Sequence, residues 1–409
     1  MSEDQSFVIV GAGLTGASAA ESLRTEGFGG RIRLLGAERY RPYIRPPLSK
    51  DYLSGKDALD TVFVHPEAWY DENRVELEMG TAVVSLDPDG RSVTLASGER
   101  VAYDALLLAT GSSPRVLTIP GADLDGVHYL RTIDDSQSLH AALKNGGRRL
   151  VLIGSGWIGM EVAATARTLG NEVTILERDE IPLAAAVGEE LGSMFAELHL
   201  EHGVVLRRSV VVDSIVGMNG RATGVTLTGG ETIEADLVLI GVGAVPNVEL
   251  AKAAGLEIDN GVLVDAALCT SDERIFAAGD IANAYHPVIG QRLRSEHWAN
   301  ALGSGAAAGR SMLGQPVSFD DIPYFYTDQF DLGMEYSGYG PLTKGATIVY
   351  RGDRAAREFI AFWLAGGKVV AGMNVNVWDV NEAVQGIIRR GNTVDPAKLA
   401  DESIPLEGL

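Results

Sequence analysis

The chain has almost no cysteine. One residue, Cys269, stands in 409. No disulfide framework forms within it, and enzymes that relay electrons through a paired-cysteine active site are excluded. No apolar run approaches the roughly 18 residues that a membrane-spanning helix needs. Positive charge is also scarce: 34 Lys and Arg stand against 55 Asp and Glu, a formal net charge of -21. Such a surface favours solubility and disfavours nucleic acid or an anionic membrane as partner. The histidines number seven and are scattered, with no spacing that gathers a metal-ligand set, so no metal is expected. The opening MSEDQS has neither a basic n-region nor an apolar h-region, and a cytoplasmic protein is expected.

Glycine is what the chain has in plenty, 49 residues, and part of it is patterned. FVIVGAGLTGASAA (Phe7 to Ala20) and VLIGSGWIGMEVAA (Val151 to Ala164) share one plan: an apolar run, G-x-G-x-x-G, then small residues at helical spacing. Either loop alone is weak evidence. Each, however, follows a predicted strand and opens a predicted helix, the context that makes the motif a dinucleotide site. In the first copy Gly11 makes the tight turn, Gly13 lets a pyrophosphate approach, and Gly16 lets helix and strand pack; Leu14 and Thr15 open the helix. Gly154, Gly156 and Gly159 take these parts in the second, with Ile158 at the helix start. The helix N-termini offer free N–H groups and a positive dipole end.

The pattern predicts helices from about Gly13 to Glu26 and from Ile158 to Leu169, and partner strands at Arg31 to Gly36 and Glu172 to Glu177. Each copy continues into short strands and closes on a glycine turn: Ala109, Thr110 and Gly111 in the first, and GVG ending at Gly243 in the second. Pro42, Pro46 and Pro47 deny a long helix to RPYIRPPLSK (Arg41 to Lys50). IFAAGD is read within a strand from Asp272 that delivers Gly279 and Asp280 at its end. After about Phe319 antiparallel strands follow, then a helix near Val380 to Arg390.

The expected fold is α/β: duplicated Rossmann-like FAD and NAD domains, as in glutathione-reductase-like flavoproteins, plus a C-terminal α+β domain. The expected boundaries are 1–110 with 241–319 for FAD, 111–240 for NAD, and 320–409 for the last. Glu177 ends the second strand of the second copy. Its carboxylate suits ribose hydroxyls and repels a 2′-phosphate, favouring NADH over NADPH. Arg178 beside it reads as a solvated strand end. In the first copy Glu38 lies late for this role, and the backbone at Gly36–Ala37 is the alternative. Two sites of this kind suggest FAD in one and NAD(H) in the other, with hydride passing between them. That step needs stacking and exclusion of water more than an acid or base.

At RPPLSKDYL, taken with both loops, IFAAGD and SEHWANA (Ser295 to Ala301), the chain resembles a family along almost its whole length. It is similar to the FAD-dependent, NADH-using ferredoxin reductases of bacterial cytochrome P450 and Rieske oxygenase systems, the family of putidaredoxin, rhodocoxin and biphenyl dioxygenase ferredoxin reductases. The resemblance implies Lys50 beside the flavin N5/O4 edge, paired with Glu161, its cation stabilising the reduced flavin. It implies FAD contacts at Arg131, Asp280, Thr15, Val83 and Trp298, and a [2Fe-2S] ferredoxin as partner. The chain departs from the family at YFYTDQ, where Tyr324 and Tyr326 replace tryptophans, and at Ser304, where glutamine is usual. Arg292, Arg294 and Arg310 are the candidates for a ferredoxin-docking patch. Two other readings stand beside this one: a reductase of another acceptor (rubredoxin, quinone or oxygen), and an NADH-binding signalling flavoprotein like apoptosis-inducing factor. The first has peroxidase and oxidase relatives that carry a cysteine near the N-terminal helix, far from Cys269.

Overall fold

In strand Ser6–Val10, Phe7 to Val10 are apolar and buried on both faces, so the strand needs cover on both sides, as a central parallel strand does. The computed structural model describes residues 4–409 and supplies that cover; the first three residues of the polar opening stretch lie outside it. In space the strands run Ile275–Ala277, Ala105–Leu108, Ser6–Val10, Arg31–Leu35, Val75–Glu78, all parallel. A second sheet repeats the order: Val127–His128, Leu237–Ile240, Arg149–Ile153, Glu172–Leu176, Val205–Arg207, again all parallel. Each is accompanied by a three-stranded antiparallel sheet, beginning at Val83–Asp87 in one case and Val212–Met218 in the other.

The two copies interleave. The strand beside Ala105–Leu108 comes from Ile275–Ala277, late in the chain, whereas its counterpart in the second sheet, Val127–His128, comes before that sheet's other strands. The two crossing segments, Ser112–Pro114 and Ala244–Pro246, pair antiparallel. Asn247 fastens them: its side chain donates to the Thr110 carbonyl (2.8 Å) and its backbone N–H to that of Gly111 (2.9 Å).

Helix Leu14–Thr25 opens on the first glycine loop and helix Trp157–Thr168 on the second. Helix Trp298–Met312, which the sequence reading left unassigned, lies along the first of them. Small residues let the backbones touch. A Cβ on Gly305 would sit 2.4 Å from the Thr15 carbonyl oxygen, and one on Gly309 2.9 Å from that of Ala19. Ser18 and Ser22 donate across to the carbonyls of Leu302 and Ala306.

From Tyr324 onward the chain forms an antiparallel sheet ordered Tyr324–Gln329, Leu332–Gly338, Lys368–Val375, Glu358–Ala365, Thr347–Asp353. Helix Asn381–Arg390 seals one face with Val384, Ile387 and Ile388. Met334, Phe359 and Trp363 on the other face share one core with Leu150, Met160 and Phe195 of the second parallel unit and Leu48 of the proline-rich segment. The strand expected over Asp272 to Asp280 is shorter. It ends at Ala277 because Gly279 turns left-handed (φ +74°) and Gly279–Ile281 coil into a 3-10 turn. Among the described residues no helix is long and apolar enough to cross a membrane.

Candidate functional site

The two glycine loops differ internally in the way a bound phosphate requires. Gly11 has φ +116°, and a Cβ there would lie 2.1 Å from the Ala109 carbonyl oxygen; one on Gly16 would lie 2.1 Å from that of Gly11. Protein fills both places. Around Gly13 nothing lies within 4 Å. The second loop repeats this: Gly154 (φ +99°) abuts the Gly241 carbonyl oxygen at 2.5 Å, Gly159 that of Gly154 at 2.7 Å, and Gly156 is open. Neither helix has a side-chain N-cap, so its first N–H groups are free for an anion. Each loop therefore fits a dinucleotide pyrophosphate.

Around the first loop, sequence-distant polar groups converge. Thr15 packs under Gly279, where a Cβ would meet its hydroxyl at 2.3 Å, and Ser304 Oγ accepts from the Gly279 N–H (2.9 Å). The serine that replaces the usual glutamine thus anchors the turn that carries Asp280. Asp280 accepts from Arg131 Nη2 and from Ser112 Oγ, both at 2.8 Å. Burial, and next the neighbouring Arg45, weigh against the Arg131 cation. Arg131 Nε and Trp298 Nε1 are buried and lack a hydrogen-bond partner among the described residues. Two orphaned donors beside an open glycine loop fit a flavin nucleotide with acceptors of its own. Gly111 (φ +66°) keeps the place next to Arg131 clear, 3.4 Å from Nη2. Ala37 is exposed and Val83 half-buried. Glu38 is already engaged by Tyr43 OH (2.5 Å) and Arg45 Nη2 (2.8 Å).

Lys50 meets the second glycine-loop helix. Pro46–Ser49 form a 3-10 turn whose carbonyls are held by hydroxyls from elsewhere, Ser136 on Leu48 and Thr165 on Ser49. Lys50 Nζ lies 3.1 Å from Glu161 Oε1 on the second glycine-loop helix, both side chains being largely buried. Glu161 also accepts from Ser49 Oγ (2.5 Å) and Thr327 Oγ1 (2.6 Å). Lys50 Nζ sits 4.7 Å from the ring centroid of Tyr326. The tyrosine at the family's tryptophan place gives the lysine an aromatic face. Burial pushes the Tyr326 phenol up, and burial also raises the Asp328 carboxyl, against the pull of Lys50.

At the second loop Glu177 is fixed by three donors: the Ser155 N–H (2.9 Å) and hydroxyl (2.5 Å) on one oxygen and the Asp179 N–H (2.8 Å) on the other. Arg178 is exposed and faces Asp179 at 3.4 Å. Ile158 is exposed at the helix start, and Gly243 (φ +104°) has open space around it. Cys269 belongs to neither loop. Burial, then Asp265, Asp272 and Glu273, push its thiol up to about 11, which keeps it from being a reactive thiolate.

Two of the three arginines expected to form a docking patch bond within the chain. Arg292 donates to the carbonyls of Val264 and Asn283, and Arg294 pairs with Glu296 and reaches the Asp280 carbonyl. Arg292 and Arg310 are both exposed without an ion pair among the described residues, and of the three only Arg310 has no side-chain hydrogen bond there either. It lies in the last turn of helix Trp298–Met312, about 18 Å along the axis from Trp298. Sequence reasoning missed Arg45, which lies within the proline-rich block, and the partners of Glu161 on the C-terminal sheet. Only TDQ in YFYTDQ pointed to the latter.

Two like-folded dinucleotide cradles, with a buried lysine against the helix of the second, are the arrangement of a flavoprotein reductase. Residues 5–305 match the family model described as pyridine nucleotide-disulphide oxidoreductase, and residues 324–409 match that described as reductase C-terminal; the chain belongs to this family and is an FAD-dependent oxidoreductase that uses NAD(H). It is 40% identical over 404 residues to the anthranilate 1,2-dioxygenase system ferredoxin–NAD(+) reductase component of Burkholderia cepacia, covering 98% of each chain. It is 39% identical over 405 residues to rhodocoxin reductase of Rhodococcus erythropolis, covering 98% of this chain and 93% of that one. Among solved structures it matches the covalent putidaredoxin reductase–putidaredoxin complex with a TM-score of 0.94 at 34% identity, covering 99% of this chain and 98% of that one.

Proposed function

We propose that the chain takes electrons from NADH and delivers them, through FAD, to a [2Fe-2S] ferredoxin that feeds a cytochrome P450 or Rieske oxygenase. The observation that carries this reading is the buried Lys50–Glu161 pair, which ties the first loop's unit to the second's. Relatives named as ferredoxin reductases, and one solved in complex with its redox partner, support the acceptor. FAD, when bound, accepts two electrons as hydride and releases them singly.

Under this reading Gly11, Gly13, Leu14, Thr15, Gly16, Ala37, Val83, Ala109, Thr110, Gly111, Arg131, Gly279, Asp280 and Trp298 hold FAD, with Arg45 added to them. Gly154, Gly156, Ile158, Gly159, Glu177 and Gly243 hold NAD(H). Lys50 keeps a positive charge where electron density arrives, and Glu161 orients it. The first unit is 1–110 with 241–319, the second 111–240, the last 320–409. With NADH as donor and no cysteine pair, the cytoplasm is the compartment we assign.

The test is steady-state turnover with NADH and a series of purified acceptors. A [2Fe-2S] ferredoxin should give the highest kcat/KM. A higher value with rubredoxin, quinone or oxygen would replace this reading with that of another acceptor. Charge reversal at Arg310 should weaken ferredoxin reduction at low salt and leave NADH–ferricyanide activity unchanged.

A further inference from the structure

Beyond Glu161 the polar atoms continue inward. Thr327 Oγ1 donates to Glu161 Oε1 at 2.6 Å. Gln329 Nε2 lies 3.1 Å from Thr327 Oγ1, and His199 Nε2 lies 2.9 Å from Gln329 Oε1. Thr327, Gln329 and His199 have no exposed surface at all. The row crosses two units: His199 is on helix Glu189–Glu201, beside the second parallel sheet, and Thr327 and Gln329 are on the first strand of the C-terminal sheet.

One end decides the direction of every bond. The Glu161 carboxylate beside Lys50 has no proton to give, so the Thr327 hydroxyl donates to it. That hydroxyl has a single proton, so towards Gln329 it accepts, and the amide NH2 is what faces it. This turns the Gln329 carbonyl to His199, which must therefore donate from Nε2. The one proton of a neutral imidazole is thus on Nε2, and Nδ1 is bare. His199 Nδ1 is indeed buried with no partner among the described residues; that is cheap for a ring lone pair and expensive for an N–H. The surroundings favour the neutral ring: burial brings His199 down to about 4, against the raising effect of its hydrogen bond to Gln329, with His202 adding to the lowering. His202 and Phe330 close this end, His202 stacking on Phe330 and reaching Asp331 at 3.7 Å. Each donor polarises the next in a dry interior, so the row acts as one unit.

We propose that Thr327, Gln329 and His199 are positioning residues for the Lys50–Glu161 pair: a one-directional row of buried donors that fixes the Glu161 carboxylate and thereby the place of the Lys50 ammonium. The proposal rests on the reading of Lys50 as the cation at the flavin edge.

The test uses the holoenzyme. Thr327→Val keeps the shape and removes the donor. Stopped-flow reduction by NADH should show its limiting rate falling about 10-fold or more, as when a donor to a charged site is lost. The NADH concentration at half-saturation and the FAD content should stay within about twofold. Thr327→Ser, which restores the hydroxyl, should recover most of the rate. In the wild-type protein, 15N spectra of labelled histidine should show the Nε2–H tautomer for the resonance that His199→Gln removes. A wild-type limiting rate in Thr327→Val, or an Nδ1–H tautomer at His199, overturns the proposal; the second readout decides it even if the valine variant fails to fold. If Lys50→Met itself reduces at wild-type speed, the underlying reading of Lys50 has failed. A slow Lys50→Met beside a fast Thr327→Val overturns the row alone.

Discussion

Lys50→Met separates what the lysine does for stability from what it does for chemistry. The wild-type pair is 3.1 Å apart, and the side chains keep only 14% and 7% of their surface exposed. Methionine fills similar volume but leaves the Glu161 charge inside without its counter-ion. Removing one partner of a buried pair costs about 3–5 kcal/mol. Glu161 retains the hydroxyls of Ser49 and Thr327, so the lower end, about 3 kcal/mol, is expected. Adding Glu161→Gln removes the stranded charge, and the double variant should regain most of that loss. Flavin reduction should behave differently. Lys50→Met should slow it about 100-fold, the cost of losing one preorganised charge-stabilising group, and the double variant should stay slow, since the cation is still missing. Urea unfolding followed by flavin fluorescence reads the first quantity, and stopped-flow reduction by NADH the second. Bound FAD should remain stoichiometric, because the first glycine loop and Asp280 are untouched. A double variant that reduces at wild-type speed would refute the reasoning, since the slow step in Lys50→Met would then come from a stranded carboxylate and not from a missing cation.

Gly13→Ala should fold and hold FAD about 10-fold more weakly, because its Cβ enters open space beside the helix N-terminus. Gly16→Ala, whose Cβ would stand 2.1 Å from a backbone oxygen, should yield little folded protein; flavin retention on gel filtration distinguishes the two. Glu177→Ala should lower kcat/KM for NADH about 10-fold and narrow the preference over NADPH, and an unchanged preference in steady-state kinetics would move the ribose contact elsewhere. His199 has a folded pKa lowered to about 4 by burial, so its contribution to stability is complete above the unfolded value near 6.5 and is lost as pH falls towards 4. By pH 5 this costs about 2 kcal/mol, and His199→Gln should show a correspondingly smaller loss in urea midpoints between pH 7.5 and pH 5. His65, His128 and His297, also lowered by burial, remain in both proteins and cancel in the comparison.

The glycine loops were legible because backbone geometry speaks through single residues: only glycine fits at φ +116° against a carbonyl, as at Gly11. Lys50, Glu161, Arg131 and Asp280 were legible only through resemblance, since nothing in their spacing reveals that four distant segments meet. Arg45 was hidden by its prolines, which mark the segment as a break in regular structure without saying where its side chains go. Helix Trp298–Met312 escaped because glycine and alanine dominate it. Those residues are weak periodic signals, yet they are what close packing on Leu14–Thr25 requires. Arg292 and Arg294 read as free surface charge because a sequence does not show which carbonyls lie within reach.

The interleaving of the two sheets sets a timetable for the chain as it is made. The second parallel unit is continuous from Val127 to Ile240 and has all its strands as soon as that stretch has emerged. The first cannot close its sheet until Ile275–Ala277 arrives, and its glycine-loop helix stays uncovered until residue 312. The sheet of Ser6–Val10 thus lacks its final edge strand until well after all strands of the second unit are present in the chain. Domains that form during synthesis usually do so from the N-terminus; here the unit whose strands are complete first in sequence is the second one. The second glycine loop has its whole sheet in sequence first, and the first, with Asp280 and Trp298 still to come, has its sheet only when the two halves are joined.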